Sequence, residues 1–148
     1  MRCNVTIEIP KGGGLRRQVE SQGSVVILPF PDASVVQALE FVAYGFVNNS
    51  LNPADMLPAD VFVLSNDILC VGDVVTVVVV GVRLRNDGDH KFLAVHASPR
   101  SVRTINDAFE LPPALLGMLG RWVDPVERTG ECWLPATEAT RLLKSLLF

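Results

Sequence analysis

Five carboxylates could do chemistry: Glu8 within a strand-like run, and Asp55, Asp60, Asp87 and Asp89 where the chain turns or a strand begins. Asp55 and Asp60 flank Leu57-Pro58, just before the apolar run Val61-Phe62-Val63-Leu64. Asp87 and Asp89 share the short turn Asn86-Asp87-Gly88-Asp89. Oxygen donors grouped at strand ends suit a hard cation such as magnesium, which takes one or two carboxylates and keeps several waters. Such a cation lowers the pKa of a water in its shell and makes it a better nucleophile. The same aspartates have a plainer use, because Asp side chains hydrogen-bond their own backbone in turns. Spacing alone leaves both uses open. Gly12-Gly13-Gly14 lacks the following Lys-Ser/Thr of a phosphate loop and reads as a turn.

The elements that must position these acids are short and mostly strands. Val5 to Ile9 alternates apolar and polar residues and reads as a first strand. A short second strand is expected near Gln18–Glu20 and a third at Val25–Phe30. Residues 33–43 fit helix or strand. Residues 48–59, rich in Asn, Pro and Asp, read as a loop. A strand is expected at Val61–Leu64 and the longest one at Val74–Arg85. The Asn86–Asp89 turn then leads into a returning strand at Lys91–His96. Beyond Thr104 the period changes. One helix is expected from about Pro113 and a last one over Pro135–Leu147, where Leu142, Leu143, Leu146 and Leu147 form an apolar stripe. This pattern predicts an α+β fold: a small closed β-barrel of about five main strands with two helices packed against it. With 148 residues, the chain reads as one domain over 1–148.

Composition narrows the function. A net charge of −3 gives no broad attraction for nucleic acid or an anionic membrane. The most apolar stretch, Val74–Val82, is about half of the roughly 20 residues a bilayer span needs. Cys3, Cys70 and Cys132 are far apart and odd in number, which argues against a zinc site or a disulfide framework. With strand-like sequence following Met1 directly, a cytoplasmic location is expected. Bland readings suit other residues: His90 as an exposed turn residue, His96 as a strand-edge histidine, Trp122 and Trp133 as packing residues, and Arg83 and Arg85 as a solvated strand face or subunit contact.

Several segments, in order, resemble family I soluble inorganic pyrophosphatases. Ile7-Glu8-Ile9-Pro10-Lys11-Gly12 resembles the family's I-E-I-P-K-G strand. Tyr44-Gly45-Phe46-Val47 is similar to its Y-G-F-I segment. Asp55 through Leu64 is similar to its D-G-D-P-x-D-V-L-V-L signature, and Gly72 to Val82 to P-G-x-V-x-x-V-R-P-I-G-V. Asp87 through Val95 resembles a shortened D-E-x-G-x-D-x-K-I-I-A-V, and Ile105 through Pro112 its I-x-D-x-x-D-L-P turn. The resemblance spans nearly the whole chain. It implies an OB-like barrel, homo-oligomers that are often hexamers, and magnesium-dependent hydrolysis of diphosphate to two phosphates.

Carried across position by position, the resemblance implies metal binding by Asp55, Asp60, Asp87 and Asp89, and phosphate binding by Lys91, Arg17 and Glu8. Asp60 and Tyr44 would take part in catalysis. Other positions depart from the pattern. Leu57 stands where the signature has its middle acid, which helps activate the attacking water. Pro29 falls near the phosphate-gripping arginine, and the late Tyr-Lys pair is absent, since Tyr44 is the chain's single tyrosine. Two expectations follow: a divergent diphosphatase of weak activity, or an inactive relative that binds a phosphorylated ligand or a protein partner. A nucleic-acid-binding barrel would need a basic face with exposed aromatics, and the arginines here are scattered.

Overall fold

The β-branched run from Val74 forms the longest strand of the computed structural model, which describes residues 1–10, 42–98, 105–124 and 130–148 and the backbone of 15–19 and 25–29. In chain order the strands are β1 (Arg2–Ile9), β2 (Leu15–Val19), β3 (Val25–Pro29), β4 (Val42–Val47), β5 (Asp60–Leu64), β6 (Val74–Leu84) and β7 (Lys91–His96). A 3-10 turn (Ala108–Glu110), helix α1 (Pro113–Val123), strand β8 (Cys132–Pro135) and helix α2 (Ala136–Leu146) complete the fold. The 33–43 segment, read as helix or strand, lies largely outside the described residues, and its end opens into β4. β2 starts at Leu15, ahead of the expected Gln18–Glu20. The four residues of β8, including Pro135, form an edge strand where only the start of a helix was expected.

Strands β1, β4, β5, β7 and β6 pair in that order, and β1 pairs again with β6, closing a five-stranded barrel. The β5–β7 pair is parallel and the other pairs are antiparallel. β8 extends the sheet along the end of β6. β2 and β3 form a separate antiparallel hairpin in which Arg17 lies opposite Ile27. The sheet is buried on both sides. Val61, Val63, Phe92 and Ala94 join one apolar cluster with Ala139 and Leu143 of α2. Their strand neighbours Phe62 and Leu93 join a second with Leu116, Leu119 and Trp122 of α1. Burial on both faces explains why these strands read as continuous apolar runs rather than as alternation. Truncating a fully buried leucine such as Leu143 to Ala costs about 2–5 kcal/mol.

Close approach of β1 and β4 dictates one glycine. A Cβ on Gly45 would lie 2.0 Å from the Thr6 carbonyl oxygen, so no side chain fits there. Immediately beyond, the β1–β4 register shifts between Ile7 and Ile9, leaving Glu8 at a bulge. Among the described residues, no helix is long and apolar enough to cross a membrane.

Candidate active site

Strand register sets one row of residues across the end of the sheet. Thr6 lies opposite Phe46, Phe46 opposite Asp60, Asp60 beside Lys91, Lys91 opposite Arg83, and Arg83 opposite Trp133. Asp60 opens β5 and Lys91 opens β7, so the parallel pairing alone makes them neighbours. The Lys91 ammonium donates to Asp60 Oδ2 and, at 2.9 Å, to Asp89 Oδ2. Lys91 is 6% exposed, so these are charge-assisted hydrogen bonds at the edge of the core.

The turn preceding Lys91 brings Asp89 to that point. Gly88 takes φ +80°, a conformation that glycine adopts without penalty. Its N–H donates to the Arg85 carbonyl at 3.2 Å, and the Asp89 N–H donates to Asp87 Oδ1 at 2.9 Å. The loop before β5 approaches from the other side. Asn52 Nδ2 donates to Asp89 Oδ1 at 3.3 Å and to the Gly88 carbonyl at 3.4 Å. The Leu57 N–H donates to Asp55 Oδ1 at 3.0 Å. Burial pushes the Asp55 carboxyl above the usual range and the Leu57 N–H opposes this, while the charges of Asp89 and Asp60 add to the upward push. The two acidic segments, distant in sequence, therefore share one electrostatic field.

Among the described residues, no three histidine, cysteine or carboxylate side chains converge as a preformed metal cage. Lys91 sits between two of the acids, and Asp87 leans toward Arg85, 3.3 Å from its Nη1. Magnesium does not require a cage, since it binds through one or two carboxylates with water completing its shell. Asp60 and Asp89 reach one ammonium, that of Lys91, and Asp55 lies in the same field.

Other expected site residues are placed differently. Tyr44 is 1% exposed and packs against Phe62 and Trp122, with ring centroids 5.2 and 4.4 Å away. Each such aromatic pair adds about 0.5–1.5 kcal/mol beyond area burial. Glu8 is 7% exposed at its bulge. Arg17 belongs to the β2–β3 hairpin, where the backbone alone is described. Lys11 lies outside the described residues.

Two bland readings are corrected. His90 is partly buried, and its Nδ1 accepts a hydrogen bond from the Arg85 N–H at 2.9 Å. A ring nitrogen that accepts is unprotonated, so the neutral ring carries its proton on Nε2. Burial lowers its pKa, with Asp87 and Asp89 opposing and Arg85 adding to the fall. Arg85 is not on a solvated face. Its Nε and Nη2 donate to Asp124 Oδ1 at 3.2 and 3.1 Å, and its Nη1 lies 3.6 Å from Asp89 Oδ2. The Arg85 and Asp124 side chains are 17% and 4% exposed. Sequence reasoning missed this pair. The available signal was an arginine immediately before a doubly acidic turn.

A second polar cluster is not a catalytic relay. Ser65 Oγ lies 2.8 Å from His96 Nδ1, and Asp67 Oδ2 lies 3.7 Å from the same nitrogen. A nucleophilic triad uses both ring nitrogens, one for the nucleophile and one for the acid.

A family model described as inorganic pyrophosphatase matches residues 5–136. Among solved structures, an inorganic pyrophosphatase from Ehrlichia chaffeensis aligns at TM-score 0.81 and 25% identity, covering 99% of this chain and 93% of that one. An inorganic phosphatase from Anaplasma phagocytophilum aligns at 0.79 and 25% identity, covering 99% and 91%. An inorganic pyrophosphatase from Thermus thermophilus shares the fold at TM-score 0.78 and 23% identity, over 99% and 89%.

Proposed function

The chain belongs to the inorganic pyrophosphatase family, and from that premise we propose that it is a divergent, magnesium-dependent diphosphatase of weak activity. The meeting of Asp60, Asp89 and Lys91, with Asp55 in the same field, carries this reading. In it Asp55, Asp60 and Asp89 hold magnesium, and Asp87 stands at the margin of the set. Bound magnesium supplies positive charge to a phosphoryl group and lowers the pKa of water in its shell.

The protein's own groups divide the remaining work. Diphosphate carries about three to four negative charges, and its hydrolysis depends on positive groups around it. The Lys91 ammonium exchanges a carboxylate for a phosphate oxygen as the ligand arrives. Arg17, from the β2–β3 hairpin, adds a second cation. Asp60 accepts a proton from the attacking water, and Glu8 supports the wall of the site from the β1 bulge. Tyr44 holds β4 in place through its ring contacts. Cytoplasmic location and a homo-oligomer, a hexamer by family resemblance, belong to the same proposal.

A second reading has its own observation. Leu57 occupies the position of the signature's middle acid and is 38% exposed on the loop beside Asp55. Loss of one base or one phosphate clamp costs about 10²- to 10⁴-fold in rate. That favours a relative that binds a phosphorylated ligand without turnover. Phosphate release from diphosphate with Mg2+, beside an Asp60→Asn control, decides between them. Release above the control supports the enzyme, and release equal to it overturns the enzyme in favour of the binding protein.

A further inference from the structure

Arg85 joins three parts of the chain. Along one edge its Nε and Nη2 hydrogen-bond Asp124 Oδ1, at the C-terminal cap of α1. Along the other its Nη1 faces Asp87 Oδ2 at 3.3 Å, Asp89 Oδ2 at 3.6 Å and the Asp89 carbonyl at 3.5 Å. Its own N–H donates to His90 and its carbonyl accepts from Gly88, so the turn is built around this residue. Asp89 Oδ2 consequently lies between two cations, Arg85 and Lys91, while Asn52 holds Oδ1.

The geometry rules out an incidental surface pair. Exposed ion pairs contribute little because solvent screens them and side-chain entropy opposes them. Here the carboxylate anchoring the guanidinium is 4% exposed, and its second oxygen is 3.9 Å from Arg83 Nε. A planar guanidinium engaged on two edges fixes orientation as well as charge, which a lysine cannot do.

We propose that Arg85, anchored on Asp124, is a positioning residue that holds the Asp87–Asp89 turn so that Asp89 stays aimed at Lys91 and Asp60. Its link to catalysis rests on the diphosphatase reading; its hold on the turn does not. Removing such outer partners of metal-binding carboxylates weakens metal binding about 10- to 100-fold.

The test uses Arg85→Lys, which keeps the charge, and Asp124→Ala, which removes the oxygen that accepts both anchoring hydrogen bonds. Arg141→Gln serves as control, since its pair with Glu138 is exposed and shares no residue with the Arg85 ion pairs. Amide hydrogen exchange reports the turn directly. The Gly88 and Asp89 amides exchange about tenfold faster in both variants, while the β6 and β7 amides keep wild-type protection. Unchanged turn exchange in both variants overturns the proposal, whether or not the protein hydrolyses diphosphate. Calorimetric titration with Mg2+ then separates positioning from mere structure. About tenfold weaker binding in Arg85→Lys supports the positioning role, and wild-type affinity beside a loosened turn overturns it. A wild-type chain that neither binds Mg2+ nor releases phosphate overturns the functional reading, and the exchange measurement alone then decides the hold on the turn.

Discussion

Asp60 and Lys91 are direct neighbours across the parallel β5–β7 pair, and the Lys91 ammonium reaches both Asp60 and Asp89. A positive group therefore sits where two acidic segments meet, ready to compensate the acids or to receive a phosphate. Replacing Lys91 with Met keeps the stem and removes the charge. Asp60 and Asp89, both 21% exposed, then repel each other. The expected cost is about 1–2 kcal/mol by urea unfolding, below the range for a fully buried pair. The specificity constant for diphosphate falls about 10²-fold in a phosphate-release assay. An unchanged constant would remove Lys91 from the site.

Leu57→Asp tests the departure from the family signature. The backbone at 57 is held at both ends: its N–H donates to Asp55 Oδ1 and its carbonyl accepts from the Asn52 N–H at 2.7 Å. The side chain is 38% exposed, so an aspartate is accommodated within about 0.5 kcal/mol. Mg2+ binding by calorimetry tightens, because one more carboxylate joins the loop beside Asp55. Phosphate release rises less than about tenfold, because groups that act as a unit are not restored singly. Mg2+ affinity equal to wild type would show that position 57 does not face the cation.

Legibility followed the length of the contacts. The strands at 60–64 and 74–84 read clearly because burial on both faces gives unbroken apolar runs. The acids were legible because a turn and a strand start are local features. Strand β4 was obscured by Gly45, whose presence answers a backbone approach from β1 that no local pattern reveals. Strand β8 has only four residues, pairs along one edge and ends in Pro135. The Arg85–Asp124 bond was invisible for the same reason. It joins residues 39 apart in the sequence, brought together by packing at the end of α1.

Thiol chemistry separates the three cysteines. Cys70 and Cys132 are exposed, whereas Cys3 on β1 is partly buried. Burial pushes the Cys3 thiol up, with the N-terminal ammonium opposing. The thiolate is the reactive form. Titration of the native protein with a disulfide reagent at neutral pH therefore shows two fast thiols and one slow one. The Cys3→Ser variant loses the slow phase alone. Three equal rates would contradict the burial of Cys3.

Asp107 ties two helical starts together with one carboxylate. Oδ1 accepts from the Phe109 N–H at 3.0 Å and caps the 3-10 turn. Oδ2 accepts at 3.0 Å from the Ala136 N–H, the first of α2, whose own cap residue is Pro135 and has no side-chain hydrogen bond to offer. Losing a cap costs about 0.5–2 kcal/mol, and Asp107→Ala removes two at once. The expected loss is about 2 kcal/mol by urea unfolding. Asp107→Asn keeps an acceptor oxygen for one donor and loses the second, so it falls between wild type and Ala. If Asn and Ala cost the same, the oxygen on the Asn side chain caps neither start. If both are neutral, α2 does not depend on this distant carboxylate for its first turn.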